Sequence, residues 1–368
     1  MNILILNWRD TSHPKSGGAE IVTMEHAKSW VRSGHNVTWL TAGYSCSLPD
    51  EIIQGVKIIR RWGSFSIYVY VPFFLLNHGN QFDVIVDEVH GFPFFSPFFT
   101  NTPVLVFIHE IAGEIWDYMF QFPKNIIGKF LESLYFYVYK SCFFWTIAPS
   151  TVNELIAHGI PKDHITAIPN SIVVPDHIHI TNEKEKKPTY IFVSRVVKMK
   201  GIEEVVKAFS FIVKEQRDAQ LWIVGSGDDN YINQLKTMMK EYNVLDKIHF
   251  FGKVSEGKKY FLMSHAHILL HASVKEGWGL VVLEAAHVGT PAIVYNVSGL
   301  RDVVKDNKTG VVLSINSPQQ MATDAVNLFV DSKRYASYQV HGKKWVNSLS
   351  WDDITSRSLQ LLLKTAHI

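Results

Sequence analysis

The feature that most constrains the fold of this chain is the alternation of short apolar runs with longer stretches of 3.6-residue periodicity. Continuous apolar runs bounded by polar residues are typical of parallel strands that are buried on both faces. The pattern predicts a first series of strands at residues 2–7, 36–41, 56–60, 84–87, 104–108 and 144–148. It predicts a second series at residues 190–194, 221–225, 248–250, 268–271, 292–295 and 311–313. The fold class is therefore α/β, and ligands of such sheets bind beyond the carboxyl ends of the strands.

The two series of strands indicate two Rossmann-like domains, in keeping with 368 residues at about 150 residues per domain. Residues 181–188 are polar and charged, lack periodicity and end in a proline, which is typical of a linker. We therefore expect an N-terminal domain over 1–180, a linker over 181–188 and a C-terminal domain over 189–350, with the domains facing each other across a cleft. A final helix, 351–368, is expected to return to the first domain.

Composition and charge exclude several classes of protein. The chain is 47% hydrophobic and 19% charged, which is globular composition. Its two cysteines, Cys46 and Cys142, lie in no CxxC or CxxH pattern, so a disulfide framework is excluded and a reducing compartment is expected. Residues 1–180 hold 11 Lys/Arg against 15 Asp/Glu, and the remainder holds 25 against 19. The second half therefore carries a modest excess of positive charge, which suits a small anionic ligand and argues against nucleic acid.

The first residues lack the basic flank of a signal peptide, and no run approaches the ~18 apolar residues of a spanning helix. We therefore expect a cytoplasmic protein, which could also be peripheral on the cytoplasmic face of a membrane.

Two carboxylates flank a glycine-bearing turn after a predicted strand. Gly277 and Gly279 permit a tight turn before a helix that should begin near Leu280, and the free N–H groups of a helix start bind phosphate. Glu276 lies before this helix start and Glu284 about one turn into the helix, where carboxylates can accept hydrogen bonds from sugar hydroxyls. The arrangement favours a nucleotide sugar. The alternative is an ordinary strand-to-helix turn with a capping glutamate.

A basic cluster follows the first strand of the second series. Arg195 and Lys200 leave the carboxyl end of that strand, and both supply the charge and the donors that a diphosphate requires. The alternative is that Lys198 and Lys200 are surface lysines at a helix start, where positive charge is mildly unfavourable.

In the first half, a pair of glycines and a histidine also follow predicted strands, on the opposite side of the expected cleft. Gly17 and Gly18 open a predicted helix at 19–32, where a backbone can approach an anion closely. His109 leaves the carboxyl end of a buried strand, where an imidazole could hydrogen-bond a sugar hydroxyl or share charge near the reaction centre. The alternatives are a flexible loop with a helix cap and an inert histidine, since the chain has 17 of them.

Taken together, these residues resemble the retaining glycosyltransferases of family 4, which have the GT-B architecture. The likeness covers nearly the whole chain. Glu276 and Glu284 look like the two glutamates of the family's E-x7-E motif, and Arg195 with Lys200 looks like its diphosphate-binding pair. Gly17 and Gly18 look like its N-terminal glycine loop, and His109 looks like its active-site histidine.

The resemblance implies a function for each of these positions. Glu276 would hold hydroxyls of the transferred sugar and Glu284 the ribose, and no protein nucleophile is expected. No metal or other cofactor is expected, and the chain has no DxD pair between buried strands. The implied catalytic residues are Glu276, His109, Arg195 and Lys200, and the implied donor-binding residues are Gly17, Gly18, Arg195, Lys200, Gly279, Leu280, Val281 and Glu284.

The acceptor side is predicted from aromatic residues. The first half holds 16 of the 23 phenylalanines, several of them in 92–99, and a helical stretch over 124–145 mixes aromatic residues with Lys124, Lys129 and Lys140. Basic and aromatic residues on one helix can dock at a lipid interface, so we hypothesise a membrane surface and a lipid-linked acceptor. The alternative is that the aromatic residues pack in the core and the lysines form a solvated edge.

The sequence thus predicts an enzyme that moves a hexose, with retention, from a UDP- or GDP-sugar to a glycan or lipid-linked acceptor. Such a reaction would serve polysaccharide, glycolipid or glycoprotein glycan synthesis. The alternatives are a GT-B phosphorylase or epimerase and a non-catalytic nucleotide-sugar-binding partner subunit. An oxidoreductase is set aside, because the first strand runs into no GxGxxG motif.

Overall fold

A computed structural model describes residues 1–175 and 183–367. The chain divides into two compact units, the first comprising Met1–Asn170 together with the C-terminal residues from Ser350, and the second comprising Ser171–Leu349. Among the residues that the structure describes, none of the helices combines the length and the apolar character needed to cross a bilayer.

The first unit is built on an eight-stranded sheet, in which one edge strand, β3, runs antiparallel to its neighbour and the other pairings are parallel. Its strands are β1 (Asn2–Leu6), β2 (Asn36–Ala42), β3 (Asp50–Ile53), β4 (Val56–Arg61), β5 (Val84–Val89), β6 (Val104–Ile108), β7 (Phe143–Thr146) and β8 (Ile165–Ala167), in the order β3-β4-β2-β1-β5-β6-β7-β8. Its helices up to residue 170 are α1 (Gly18–Arg32), α2 (Ile67–His78), α3 (Ile115–Met119), α4 (Lys124–Val138) and α5 (Pro149–Ala157).

The second unit is built on a six-stranded, wholly parallel sheet. Its strands are β9 (Thr189–Val193), β10 (Gln220–Val224), β11 (Ile248–Gly252), β12 (Ile268–His271), β13 (Ala292–Val294) and β14 (Gly310–Val312), in the order β11-β10-β9-β12-β13-β14. Its helices are α6 (Ile202–Glu215), α7 (Asp229–Glu241), α8 (Glu256–His265), α9 (Leu280–His287), α10 (Leu300–Val303), α11 (Pro318–Val330) and α12 (Ser332–Asn347).

The strand predictions are confirmed, because each of the twelve expected runs contains a strand. Two strands were missed. β3 has an intermediate-to-exposed burial pattern, and β8 has three residues of intermediate burial, so neither produces the continuous apolar run on which the prediction depends.

The boundary between the units differs from the one expected at residue 180. The first unit ends at Asn170, and the expected linker over 181–188 lies partly outside the described residues. Its described part is attached to the second unit. The ammonium group of Lys184 donates to the carbonyl of Ala266 at 2.7 Å and to the hydroxyl of Thr290 at 2.8 Å, and burial lowers its pKa to about 7. The described part of this polar segment is therefore fixed to the second unit and does not act as a free linker.

The predicted helix over 124–145 is shorter in the structure, where α4 ends at Val138 and β7 begins at Phe143. Buried Gly128 lets α4 approach α3 closely, since a Cβ at this position would lie 2.4 Å from the ring of Trp116. On the next turn, buried Glu132 accepts hydrogen bonds from the N–H groups of Ala112 and Gly113, both at 2.7 Å. The inner side of α4 therefore fixes the loop that follows β6.

The last helix, α13 (Trp351–Thr365), belongs to the first unit and packs on α1. Its buried Ser358 hydroxyl accepts a hydrogen bond from the indole N–H of Trp30 at 3.1 Å and lies 2.8 Å from Nδ1 of His26. Both partners are on α1 and are buried. The contact ties the C-terminus to the first helix through polar atoms that have no access to water.

Replacing Ser358 by alanine should lower the free energy of unfolding by about 1–3 kcal/mol, because it leaves buried polar atoms of Trp30 and His26 without their partner. Urea unfolding monitored by circular dichroism measures the effect. Gln360→Ala, at an exposed position of the same helix, is the control and should change stability by less than about 0.5 kcal/mol. Equal losses in the two variants would contradict this account.

Candidate active site

The loop that carries Glu276 is held close to the loop before α10. The N–H of Glu276 donates to the carbonyl of Ser298 at 3.2 Å. Gly299 has a φ of +80°, and a Cβ there would lie 2.1 Å from the carbonyl oxygen of Glu276. Only glycine tolerates both the left-handed backbone and this approach, so Gly299 fixes the position of Glu276.

Lys200 reaches the same place from another loop. It ends a 3-10 turn at Lys198–Lys200, and the next residue, Gly201, has a φ of +70° with its missing Cβ only 1.9 Å from the carbonyl oxygen of Ala272. The carbonyl of Met199 accepts a hydrogen bond from the N–H of Val274 at 3.0 Å. These backbone contacts bring Nζ of Lys200 to 2.6 Å from Oε1 of Glu276.

A histidine that the sequence analysis did not single out completes this group. Nε2 of His271, at the end of β12, lies 3.0 Å from the same Oε1 of Glu276. Burial by itself would raise the pKa of the Glu276 carboxyl, but the ammonium of Lys200 and the hydrogen bond from His271 hold it well below its ordinary value. Glu276 is therefore a carboxylate at neutral pH, with a cation and a hydrogen-bond donor on one of its oxygens.

Glu284 has a different electrostatic environment. It lies on α9, where Oε1 is 2.9 Å from Nζ of Lys259 on α8. Burial raises the pKa of Glu284, and Lys259 offsets this rise only in part. Lys259 was missed because nothing in its sequence context distinguishes it from other helix lysines. Its long side chain reaches from one helix to the next.

The backbone before α9 forms a sharp turn as predicted. Gly279 has a φ of +83° and is the N-cap of the helix. The N–H groups of Gly279, Leu280 and Val281 therefore lie at the start of α9 and have no partner within the helix itself.

Arg195 makes no hydrogen bond or ion pair with Lys200 or Glu276. Its backbone is held by Gly225, whose φ is +138° and whose missing Cβ would lie 1.7 Å from the carbonyl of Ser194. The Arg195 side chain is exposed and makes no hydrogen bond or ion pair with the described part of the chain. Its five donors remain available to an anion.

In the first unit, His109 belongs to a buried hub centred on Glu88, a residue that the sequence analysis missed. Oε1 of Glu88 accepts from Nε2 of His109 at 2.8 Å, from Nε2 of His90 at 3.0 Å and from the hydroxyl of Thr23 at 2.9 Å. Oε2 accepts from the amide of Asn7 at 2.8 Å. The hub joins α1 to the carboxyl ends of β1, β5 and β6.

The hub sets the charge of its members. Burial would raise the pKa of Glu88, but the two histidines hold it far below its ordinary value. Burial lowers the pKa of His109, and Glu88 offsets this only in part. A neutral His109 must keep its proton on Nε2 to donate to the carboxylate, which leaves Nδ1 as the acceptor atom of the ring.

The same three side chains could hold a cation. Glu88, His90 and His109 each offer one ligand atom, and these atoms lie within 4.8 Å of one another. Hydrogen bonds already satisfy the Glu88 carboxylate, so the burial of these residues is explained without a metal ion. A transition metal would have to replace both imidazole protons at Nε2.

The glycine pair departs in part from the expectation of free backbone donors. The N–H of Gly17 donates to Oε2 of Glu20 at 2.7 Å, and Oε1 of Glu20 pairs with Arg9 at 2.7 Å. The N–H of Gly17 is thus already used within the chain. Gly18, the exposed first residue of α1, remains at the helix start.

Comparison with known proteins identifies the chain. Residues 16–174 match the family described as "Glycosyltransferase Family 4", and residues 174–345 match "Glycosyl transferases group 1". One relative, the N-acetyl-alpha-D-glucosaminyl L-malate synthase of Bacillus anthracis, is 25% identical over 357 residues, which cover 88% of this chain and 87% of that protein. A GDP-mannose-dependent alpha-(1-6)-phosphatidylinositol monomannoside mannosyltransferase of Mycobacterium tuberculosis is 30% identical over 235 residues, 61% of this chain and 59% of that protein.

Solved structures share the fold. Sucrose-phosphate synthase from Thermosynechococcus elongatus superposes with a TM-score of 0.78 at 18% identity and covers 98% of both chains. The Anabaena protein HepE, solved with UDP and glucose, superposes with a TM-score of 0.75 at 15% identity over 99% of this chain and 100% of that one.

The two parallel-sheet units and the matches across them define a transferase of the GT-B class that uses a nucleotide-sugar donor. Within that class, the chain belongs to the family 4 glycosyltransferases.

The Glu88 hub predicts a pH-dependent stability. Burial alone would lower the pKa of His90, but the hydrogen bond to Glu88 raises it above its ordinary value. A histidine with a raised pKa in the folded state contributes its full stabilisation below the unfolded-state pKa, and this contribution is lost as the pH rises through the folded-state pKa. The gap in unfolding free energy between wild type and Glu88→Gln should therefore shrink as the pH rises from about 6 to about 9, as urea unfolding can measure.

The control for this series is Glu25→Gln, which removes a partly exposed ion pair with Lys28 on α1. Its difference from wild type should stay constant over the same pH range. A Glu88→Gln gap that is also constant, or that widens with pH, would show that His90 is not held protonated by Glu88.

Proposed function

We propose that this chain transfers a hexose, with retention of configuration, from a UDP- or GDP-sugar to a glycan or lipid-linked acceptor, without a metal ion. The observation that carries the proposal is the contact between Lys200 and Glu276. These residues lie 76 positions apart in the sequence and meet at 2.6 Å. A cation that binds diphosphate and a carboxylate that binds hydroxyls are thereby held at one point of the second unit.

The charges around this point fit the parts of a nucleotide sugar. Lys200 and the exposed Arg195 provide positive charge for the diphosphate, and the helix start at Gly279, Leu280 and Val281 provides backbone donors. Glu276 uses Oε1 for Lys200 and His271, so its other oxygen can accept from a sugar hydroxyl. We assign the ribose hydroxyls to Glu284.

We propose a reaction on one face of the sugar. The acceptor oxygen bonds to the anomeric carbon on the side from which the nucleoside diphosphate departs. The bond between that carbon and the leaving oxygen breaks, and its electron pair goes to the diphosphate. A leaving phosphate oxygen takes the acceptor proton. The fixed cations stabilise the developing negative charge, and no protein nucleophile is assigned.

We assign the first unit to acceptor binding, with Gly18 and His109 as its contributions to the donor phosphate and the sugar, since the N–H of Gly17 already donates to Glu20. The neutral His109 expected from the hub offers Nδ1 as an acceptor for a hydroxyl group. This assignment gives the Glu88 hub a purpose, since the hub fixes both the orientation and the proton of the imidazole.

A membrane surface is part of the proposal, because the structure divides the aromatic residues of α4 between two environments. Tyr135 and Phe136 are buried in the core of the first unit, which accounts for them as packing. In contrast, Phe130 and Tyr137 are 62% and 79% exposed, and the helix also carries the exposed residues Ile126, Ile127, Leu131 and Leu134. Exposed apolar side chains next to Lys124 and Lys140 are typical of a helix that rests on anionic lipid.

Replacing Lys200 by methionine should lower kcat/KM by roughly 100- to 1,000-fold, because it removes one electrostatic contact to the leaving group. The donor is first identified by a thermal-shift screen of UDP-, GDP- and ADP-sugars in EDTA, as the compound whose stabilisation disappears in Glu284→Ala. The anomeric configuration of the product, read by NMR, reports retention.

Lys198→Met is the matched control for Lys200→Met, since Lys198 lies on the same 3-10 turn and is exposed. It should leave the rate nearly unchanged.

Three other outcomes would contradict the proposed function. Donor binding without transfer to any acceptor would favour a non-catalytic partner subunit, and transfer to inorganic phosphate would favour a phosphorylase. A transfer rate that collapses in EDTA would contradict metal independence.

The lipid contact predicts binding to vesicles that contain phosphatidylglycerol. Lys124→Gln combined with Lys140→Gln should weaken this binding by roughly 10- to 30-fold, at about 1 kcal/mol for each lysine near the surface, as co-sedimentation can measure. Lys236→Gln with Lys240→Gln, on α7 of the second unit, is the control and should bind like wild type. If the Lys124→Gln, Lys140→Gln double variant binds the vesicles as tightly as the control variant, the proposed electrostatic contact is wrong.

A further inference from the structure

Helix α2 is apolar on its solvent side as well as on its core side. Its twelve residues, IYVYVPFFLLNH, include no lysine, arginine, aspartate or glutamate. Ile67, Val71 and Leu75 face the core and are buried, whereas Phe73 and Leu76 are 59% and 66% exposed. A helix that is apolar all round is normally buried on all sides. We therefore expect the exposed side of α2 to contact an apolar partner.

A groove of about 330 Å³ lies between α2 and residues 92–99. The lining consists of aromatic rings and prolines: Tyr68 and Pro72 of α2, and Phe92 to Phe95, Phe98 and Phe99 opposite them. Tyr68 stacks on Phe94 with ring centroids 4.7 Å apart and meets Phe92 edge-on at 5.5 Å. Phe98 is 66% exposed, so the groove is open to the outside.

The groove depends on a strained residue. Phe95 has a φ of +55°, in the left-handed region that a bulky side chain rarely adopts, and such a conformation is unfavourable for it. It precedes a 3-10 turn at Ser96–Phe98 that brings Phe98 and Phe99 to the groove. The hydroxyl of Ser96 donates to Asp87 at 2.6 Å, and this buried bond holds the turn.

The chemistry of the lining selects among occupants. A peptide would bring backbone N–H and C=O groups that must find partners, and a sugar would bring hydroxyls. The lining offers almost none of these partners, since seven of its eight side chains are phenylalanine or proline. A hydrocarbon chain has no polar group to satisfy and gains its full transfer free energy on entering such a groove.

The groove is also joined to the strand that carries the Glu88 hub. Phe95 stacks on Tyr139, just after α4, with ring centroids 6.5 Å apart. The hydroxyl of Tyr139 donates to Asp87 at 2.6 Å, and Asp87 precedes Glu88 on β5. A chain in the groove would therefore lie on the same framework that positions His109.

We propose that this groove holds a hydrocarbon chain of the acceptor lipid. The inference rests on the proposed lipid-linked acceptor and deepens it, because it gives the chain a built site within the protein in addition to a resting surface on α4.

The test uses the full-length protein and a lysophosphatidylcholine that carries a diazirine in its acyl chain, below its micelle concentration. After irradiation, mass spectrometry should find the label concentrated in residues 62–78 and 92–99. Unlabelled lysophosphatidylcholines should compete better as their chains lengthen, by up to roughly fourfold per methylene. A label spread over all exposed apolar residues in proportion to exposure would overturn the proposal.

Two variants separate groove binding from adsorption to a surface. Phe98→Ser and Tyr137→Ser each remove one aromatic residue from the first unit, with exposures of 66% and 79%, but only Phe98 lines the groove. Labelling of 62–78 and 92–99 should fall at least fivefold in Phe98→Ser and stay near wild type in Tyr137→Ser. Equal effects of the two variants would contradict a groove.

Two further readouts complete the test. Unchanged donor stabilisation in the thermal-shift assay shows that Phe98→Ser is folded. Sedimentation velocity addresses a second copy of the chain as the occupant: a wild-type dimer that Phe98→Ser makes monomeric, without labelling of the groove, would overturn the proposal. If the groove does not bind a hydrocarbon chain, the results expected for Lys200→Met and for vesicle binding are unaffected. The groove proposal and the proposed function can therefore be refuted independently.

Discussion

The ion pair between Lys200 and Glu276 is the interaction on which the site of the second unit depends, and backbone contacts determine it. Gly201 lets the lysine turn pack against Ala272, and Gly299 lets the loop before α10 pack against Glu276. A Cβ at either glycine would overlap a carbonyl oxygen, so the loop would shift and the two charges would separate. The chemistry assigned to these side chains thus rests on two residues that have no side chain.

The pKa values of one buried and two partly buried carboxylates depend on the same balance between burial and neighbouring hydrogen-bond donors and cations. Glu88 and Glu276 are each surrounded by donors, and their pKa values stay low although burial opposes this. Glu284 has one lysine, which does not offset burial, and its pKa rises. Charges that are fixed before a ligand arrives need little reorganisation when a reaction develops new charge. The hub and the ion pair are therefore suited to keep Glu88 and Glu276 ionised, which is what the proposed roles of His109 and Glu276 require.

The two proposed ligands place opposite demands on the protein. A diphosphate and a sugar require charges and hydrogen-bond donors, which the second unit provides at Arg195, Lys200 and the start of α9. A hydrocarbon chain requires their absence, which α2 and the residues around Phe95 provide in the first unit. Exposed apolar surface of this extent is costly for a protein surrounded only by water, and an acceptor that carries a lipid would account for it.

The sequence alone determined the α/β class, nearly all the strands and the motif residues, because buried strands and tight turns depend on local composition. Glu276, Glu284 and Gly279 could be placed from spacing within one strand–turn–helix unit. The sequence did not indicate Glu88, His90, Lys259 or His271, nor the unit boundary at Asn170 and the burial of Lys184. Each of these depends on atoms that come together from separate strands, loops or helices, and spacing along the chain carries no information about such distances. Only the tertiary structure decided which charges meet and which aromatic side chains of α4 face outward, because packing of the sheet fixes the side of each helix that remains exposed.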